Sequence, residues 1–150
     1  MSDDKILFDI NEGIATITIN RPEAMNSVTD EMLADFQNCV NQTIVDDTIR
    51  AVILTGKGKA FSSGGDFGMI DANMNDEMAR MQAWKEARDL VYNIINCNKP
   101  IISAINGPAA GAGLVVAILA DISIAGKKAK IVDGHPRLGV AAGDVAAIIR

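Results

Sequence analysis

The segment Lys99-Pro100-Ile101-Ile102-Ser103-Ala104-Ile105-Asn106-Gly107-Pro108-Ala109-Ala110-Gly111-Ala112-Gly113 decides how the chain is read. Lys99-Pro100 stops a preceding helix, Ile101 to Ile105 is a short apolar run that suits a buried strand, and Asn106-Gly107-Pro108 is a turn signal. A short helix is predicted from about Gly111 to Ala120, so the glycine loop lies at the positive end of a helix. A second loop of the same kind, Phe61-Ser62-Ser63-Gly64-Gly65-Asp66, follows another apolar run, Ala51 to Thr55. With no side chain or only a methyl, such positions let backbone N–H groups approach a ligand oxygen. Taken singly, each loop is better read as a purely structural turn; together they can bind a developing oxyanion.

Outward from these loops the pattern alternates. Ile6 to Ile10 and Ile14 to Ile19 flank Asn11-Glu12-Gly13 as a β-hairpin. After Asn20-Arg21-Pro22, Thr29 caps a predicted helix in which Met32, Phe36, Val40 and Ile44 recur on one face, with Asp30 and Glu31 at its positive end. Ala51 to Thr55, closed by Gly56, reads as a strand buried on both faces. Residues 56–70 carry five glycines and read as loop. From about Glu77 to Asn96 a helix sets Met78, Met81, Trp84, Val91 and Ile95 on one side, as a core stripe. Strands are expected near Ile122 to Ala125 and Lys130 to Val132. Strands alternating with helices predict an α/β fold in one domain. Asp144 to Arg150 reads as the first turns of a helix without a stop, so the chain is expected to end within an element.

Composition narrows the partners. With 14 Lys and Arg against 19 Asp and Glu, and no basic cluster, nucleic acid is not expected. Cys39 and Cys97 lack CxxC spacing and sit in apolar surroundings, which predicts reduced thiols, and no export signal is read in the acidic Met1-Ser2-Asp3-Asp4 start; a cytoplasmic location is expected. The weakly polar stretch from Pro108 to Ala120 falls short of the roughly 20 residues of a membrane span. One histidine and scattered carboxylates predict no metal site.

Phe61 to Asp66 resembles the Phe-Ser-Ala-Gly-Ala-Asp segment of the crotonase (enoyl-CoA hydratase/isomerase) superfamily, and Asn106 to Gly113 its Asn-Gly-x-Ala-x-Gly-Gly-Gly segment. Arg21-Pro22-Glu23-Ala24-Met25-Asn26-Ser27 is similar to the family's loop beside coenzyme A. Order and separation also match. The resemblance implies a crotonase-like spiral of ββα units that binds an acyl-CoA thioester and stabilises its enolate through the backbone N–H groups of Gly65 and Ala112. Ala24, Met25, Ser63, Gly64, Asp66, Phe67 and Gly111 are then the candidate substrate contacts. Coenzyme A enters as part of the substrate, and no separate cofactor is implied. The resemblance further implies a homotrimer or hexamer held by C-terminal helices beyond these residues.

The sequence departs from a hydratase of that family at both glutamate positions. The first falls on Val115 and the second on His135. An imidazole titrates near neutrality and suits proton transfer, and Asp144 can orient it; a solvated loop histidine is the plainer alternative for His135, and a helix N-cap accounts for Asp144 equally well. A His/Asp pair resembles the branch that cleaves C–C bonds, such as oxocamphor hydrolase and other β-diketone hydrolases. Asp66 reads as a turn-stabilising carboxylate and Arg21 as a surface contact to the phosphates of coenzyme A. Two rivals stand beside an enolate-stabilising enzyme: a non-catalytic acyl-CoA-binding scaffold, and a nucleotide-binding module. Gly107 to Gly113 lacks the G-x-G-x-x-G spacing and residues 56–60 lack the P-loop order that the latter needs.

Overall fold

The structure, a computed structural model, describes residues 4–133. Strands β1 (Ile6–Asn11) and β2 (Ile14–Ile19) form the expected hairpin, in register from Ile6 opposite Ile19 to Asn11 opposite Ile14. Glu12 and Gly13 both have positive φ, 49° and 79°. That is the two-residue turn whose twist matches paired strands. Strands β3 (Ala51–Gly56) and β4 (Ile101–Ile105) follow with β6 (Ile122–Ala125), all parallel, giving the order β1-β2-β3-β4-β6. A second, two-stranded sheet pairs β5 (Ala109–Ala110) with β7 (Ile131–Val132).

Burial along β2, β3 and β4 alternates strictly between full and partial. The apolar run in β3 is therefore not closed off equally on both faces: Val52 and Leu54 point into the core, while Ala51, Ile53 and Thr55 are half-covered. A two-residue side-chain period forces that division even when every residue is apolar.

Helices α1 (Asp30–Val45) and α4 (Gly111–Leu119) pack on the sheet, and α3 (Glu77–Ile95) packs on both helices. Thr29 caps α1 by accepting from the Met32 N–H at 3.3 Å. Met32, Phe36 and Val40 are buried as expected, but Thr43 rather than Ile44 completes the buried row. The Thr43 hydroxyl donates to the Val40 carbonyl at 2.7 Å, so its burial leaves no polar group unsatisfied.

Two expectations are corrected. Residues 56–70 are not all loop, because Asp66 caps a helix, α2 (Phe67–Asn75), by accepting from the Gly68 N–H. The Met and Trp stripe of α3 is not core: Met78 is 76% and Trp84 69% exposed, and Met81 and Ile95 are exposed too. The inward face is instead Ala79, Ala83, Leu90 and Ile94, with the two alanines half-buried. Helix α3 as a whole packs against α1, α2 and α4. Cys39 and Cys97 are free thiols packed at the edge of the core. Among the described residues no helix is long and apolar enough to cross a membrane.

Candidate functional site

Two buried polar residues organise the first glycine loop. Asn26 is fully buried and follows Met25 in left-handed backbone, with φ of 54° and 57°, a region that asparagine tolerates better than most residues. Its side-chain oxygen accepts from the Arg21 N–H at 2.9 Å, and its amide donates to the carbonyls of Lys57 and Ala60, each at 2.9 Å. Asn106, at the end of β4, donates to the same Ala60 carbonyl at 3.2 Å. Ser62 is equally buried. Its hydroxyl donates to the Asn26 carbonyl at 2.8 Å and accepts from the Gly64 N–H at 3.2 Å.

The direction of the Gly65 amide follows from its neighbours. Val28 donates to the Gly64 carbonyl and accepts from the Asp66 N–H, both at 2.8 Å, in a parallel bridge. A trans peptide holds its C=O and N–H on opposite sides, so the Gly65 N–H points away from Val28. The second loop reaches the first through another parallel bridge, in which Ser62 donates to the Pro108 carbonyl and accepts from the Ala110 N–H. Ala110 then hands over to α4. As N-cap it offers no side-chain oxygen, and the first N–H groups of a helix have no acceptor within it. Ala112 is the second residue of α4, so its N–H belongs to that group.

Contact between the loops is close. Gly64, at φ 95°, and Gly111, at φ 49°, both adopt backbone that favours glycine, and a β-carbon on Gly64 would lie 3.0 Å from the Ala110 oxygen. The structure thus brings Gly64 against Ala110 and Gly111, with Gly65 and Ala112 the next residues along the two loops. Ala24 and Met25 join them, because the Met25 carbonyl accepts from the Ser63 N–H at 3.0 Å. Ser63 is exposed on the first loop and Phe67 at the start of α2. Ala112 also borders a narrow crevice whose walls include Ile19, Val28, Met32, Leu90 and Val116.

Arg21 and Asp66 form one unit. Arg21 Nη1 meets Asp66 Oδ2 at 2.7 Å and the Ser27 hydroxyl at 3.0 Å. The Arg21 hydrogen bond, supported by the Gly68 N–H, holds the Asp66 carboxyl below the usual aspartate range. Asp66 therefore has the turn-stabilising role expected of it. Through these bonds the Arg21 guanidinium joins the loop after β2 to the first glycine loop.

Val115 is 2% exposed within α4 and has no proton to give. His135 and Asp144 lie outside the described residues. Sequence reasoning missed the roles of Asn26 and Ser62. The available signal was a polar residue embedded within each motif, beside Met25 and Phe61, where a solvated loop has no need of one particular side chain.

Known proteins share the fold and much of the sequence of this chain. The pattern of the family described as Enoyl-CoA hydratase/isomerase matches residues 9–149. A 1,2-epoxyphenylacetyl-CoA isomerase of Escherichia coli is 39% identical over 137 residues, which are 90% of this chain and 52% of that protein. An enoyl-CoA hydratase/isomerase from Mycobacterium paratuberculosis superposes with a TM-score of 0.89 at 34% identity, over 93% of this chain and 56% of that one. An enoyl-CoA hydratase/carnithine racemase from Magnetospirillum magneticum gives 0.90 at 31%, over 98% and 56%. The chain thus spans about half the length of the relatives it matches. Matching fold and matching sequence along nearly the whole chain place it in the enoyl-CoA hydratase/isomerase family, the crotonase superfamily.

Proposed function

We propose that these residues form the thioester-binding half of an acyl-CoA enzyme, in which the N–H groups of Gly65 and Ala112 hold the thioester oxygen as it gains charge. The observation that carries this reading is the pair of amides on touching loops, one turned away from its neighbouring strand and the other at an uncapped helix start. Loss of the proton beside a thioester carbonyl moves charge onto that oxygen. Fixed donors then favour the enolate without having to reorient, and each is worth roughly 10²- to 10³-fold in rate. Coenzyme A is part of the substrate, and Ala24, Met25, Ser63, Gly64, Phe67 and Gly111 are its proposed surroundings.

Proton movement falls to His135, oriented by Asp144. With valine at position 115, the two-carboxylate addition of water has no first partner, and relocation of a proton is the better-supported outcome. The isomerase activity named for the Escherichia coli relative agrees with that choice. The assembly proposed for the full-length protein is a homotrimer or hexamer.

The test uses the protein that contains these residues. Butyryl-CoA in D2O should exchange its α-protons, and acyl-CoAs should raise the melting temperature while ATP and NAD do not, by about 2.7 kcal/mol of stability at a hundredfold excess over Kd. Binding without exchange would identify a scaffold, and cleavage of a β-diketone in preference to exchange would identify a C–C hydrolase. Stabilisation by NAD or ATP alone would overturn the reading.

A further inference from the structure

Ser62 touches both glycine loops at once. Its hydroxyl accepts from the Gly64 N–H at 3.2 Å and donates to the Asn26 carbonyl at 2.8 Å. Its backbone is bonded on both sides to the second loop, to Pro108 at 3.2 Å and Ala110 at 2.9 Å. Its side chain also fills the space that a β-carbon on Gly113 would need, in the first turn of α4. It is fully buried, so a polar atom is kept there at the cost of complete desolvation, and every one of its bonds must be met internally. The amide it holds, Gly64, is one peptide before the donor Gly65; the carbon it leans on, Gly113, is one residue after the donor Ala112.

We propose that Ser62 is the positioning residue that fixes the separation and mutual angle of the Gly65 and Ala112 N–H groups. This rests on the oxyanion reading above and adds to it the residue on which the geometry depends. Ser62 contacts no substrate. It acts through Gly64 on one side and through Ala110 and Gly113 on the other; hydroxyl removal leaves the Gly64–Gly65 peptide held only from the Val28 side, so that its distance from the second loop is no longer fixed, while the strand-like bonds between Ser62 and the second loop remain. Displacement of a donor by about 1 Å is enough to cost on the order of 10²-fold in rate.

The test compares unsubstituted full-length protein with Ser62→Ala and Ser62→Cys, using butyryl-CoA labelled with ¹³C at the thioester carbonyl. Infrared difference spectra read the lowering of the bound carbonyl stretch, and α-proton exchange in D2O reads turnover. Ser62→Ala should lower kcat roughly 10- to 100-fold, leave KM within about threefold, and lose more than half of the carbonyl shift. Ser62→Cys, whose thiol is a weaker donor and acceptor, should fall between the two in both readouts. A folded Ser62→Ala protein with unchanged kcat and carbonyl shift would overturn the proposal; should that variant not fold, the same unchanged values in Ser62→Cys would do so. Failure of the functional reading is distinguishable, because the carbonyl shift would then already be missing from the unsubstituted protein.

Discussion

Asn26 and Gly113 show how much of the site depends on single atoms. Asn26 serves three backbone partners from one buried amide, and aspartate in its place would lose both donors and bring a charge into the core. Gly113 has the opposite requirement, since a methyl there would overlap Ser62. Gly113→Ala is expected to destabilise the fold by about 1–3 kcal/mol, as overpacking does, and to lower α-proton exchange by more than its effect on butyryl-CoA affinity. Urea unfolding and single-turnover exchange measure the two effects separately. At the proposed proton-transfer position, His135→Ala should reduce exchange roughly 10²- to 10⁴-fold with acyl-CoA affinity nearly intact. Asp144→Asn should cost less if Asp144 only orients the ring. Equal exchange rates before and after the His135 substitution would remove that residue from the mechanism.

Among the elements, α2 and α3 show what the sequence hides. Its two edges, Asp66 and Asp76, are both N-caps, but the glycines around Asp66 read as loop, and only the folded loop shows that Arg21 fixes the carboxylate that starts α2. In α3 the period was legible and the facing was not. Large apolar side chains drew the reading to Met78, Met81 and Trp84, whereas Ala79, Ala83, Leu90 and Ile94 of the opposite stripe face inward. By contrast, the hairpin, α1, β3 and β4 were legible because turn glycine, cap and apolar period agree in each. The glycine loops were legible as a pair, but the buried polar bonds that aim them were not, since a hydrogen-bond partner distant in sequence leaves no local trace. The Asp66 cap carries its own prediction. Its folded-state pKa lies below the unfolded value, so its stabilisation is present above about pH 4 and is lost as pH falls through the lower folded value. Asp66→Asn should therefore lower the melting temperature at pH 7 and flatten the acid limb of the stability curve below about pH 4. A parallel downward shift, with the acid limb unchanged in steepness, would mean that the ion pair with Arg21 contributes nothing to that limb.

At the scale of the whole molecule, the described residues leave two apolar surfaces uncovered. Strand β6 stands at the end of the five-stranded order, and all of Ile122-Ser123-Ile124-Ala125 is exposed, together with Ile131 and Val132 of β7. On another side, Met74, Met78, Met81 and Trp84 of α2 and α3 face solvent. An exposed apolar edge strand is a template for pairing with another chain, and contiguous apolar area drives association in water. Because the chain spans about half the length of its relatives, the 150 residues expressed alone should bind a hydrophobic dye and elute above monomer mass in size exclusion with light scattering. Substituting Ile122→Lys and Ile124→Lys should lower the mass by opposing edge pairing, whereas Met81→Lys with Trp84→Lys should reduce dye binding more than mass. A monodisperse monomer that binds no dye would show these surfaces to be harmless in isolation. If the helical pair of substitutions lowers the mass and the strand pair does not, association runs through α2 and α3 instead of the sheet edge.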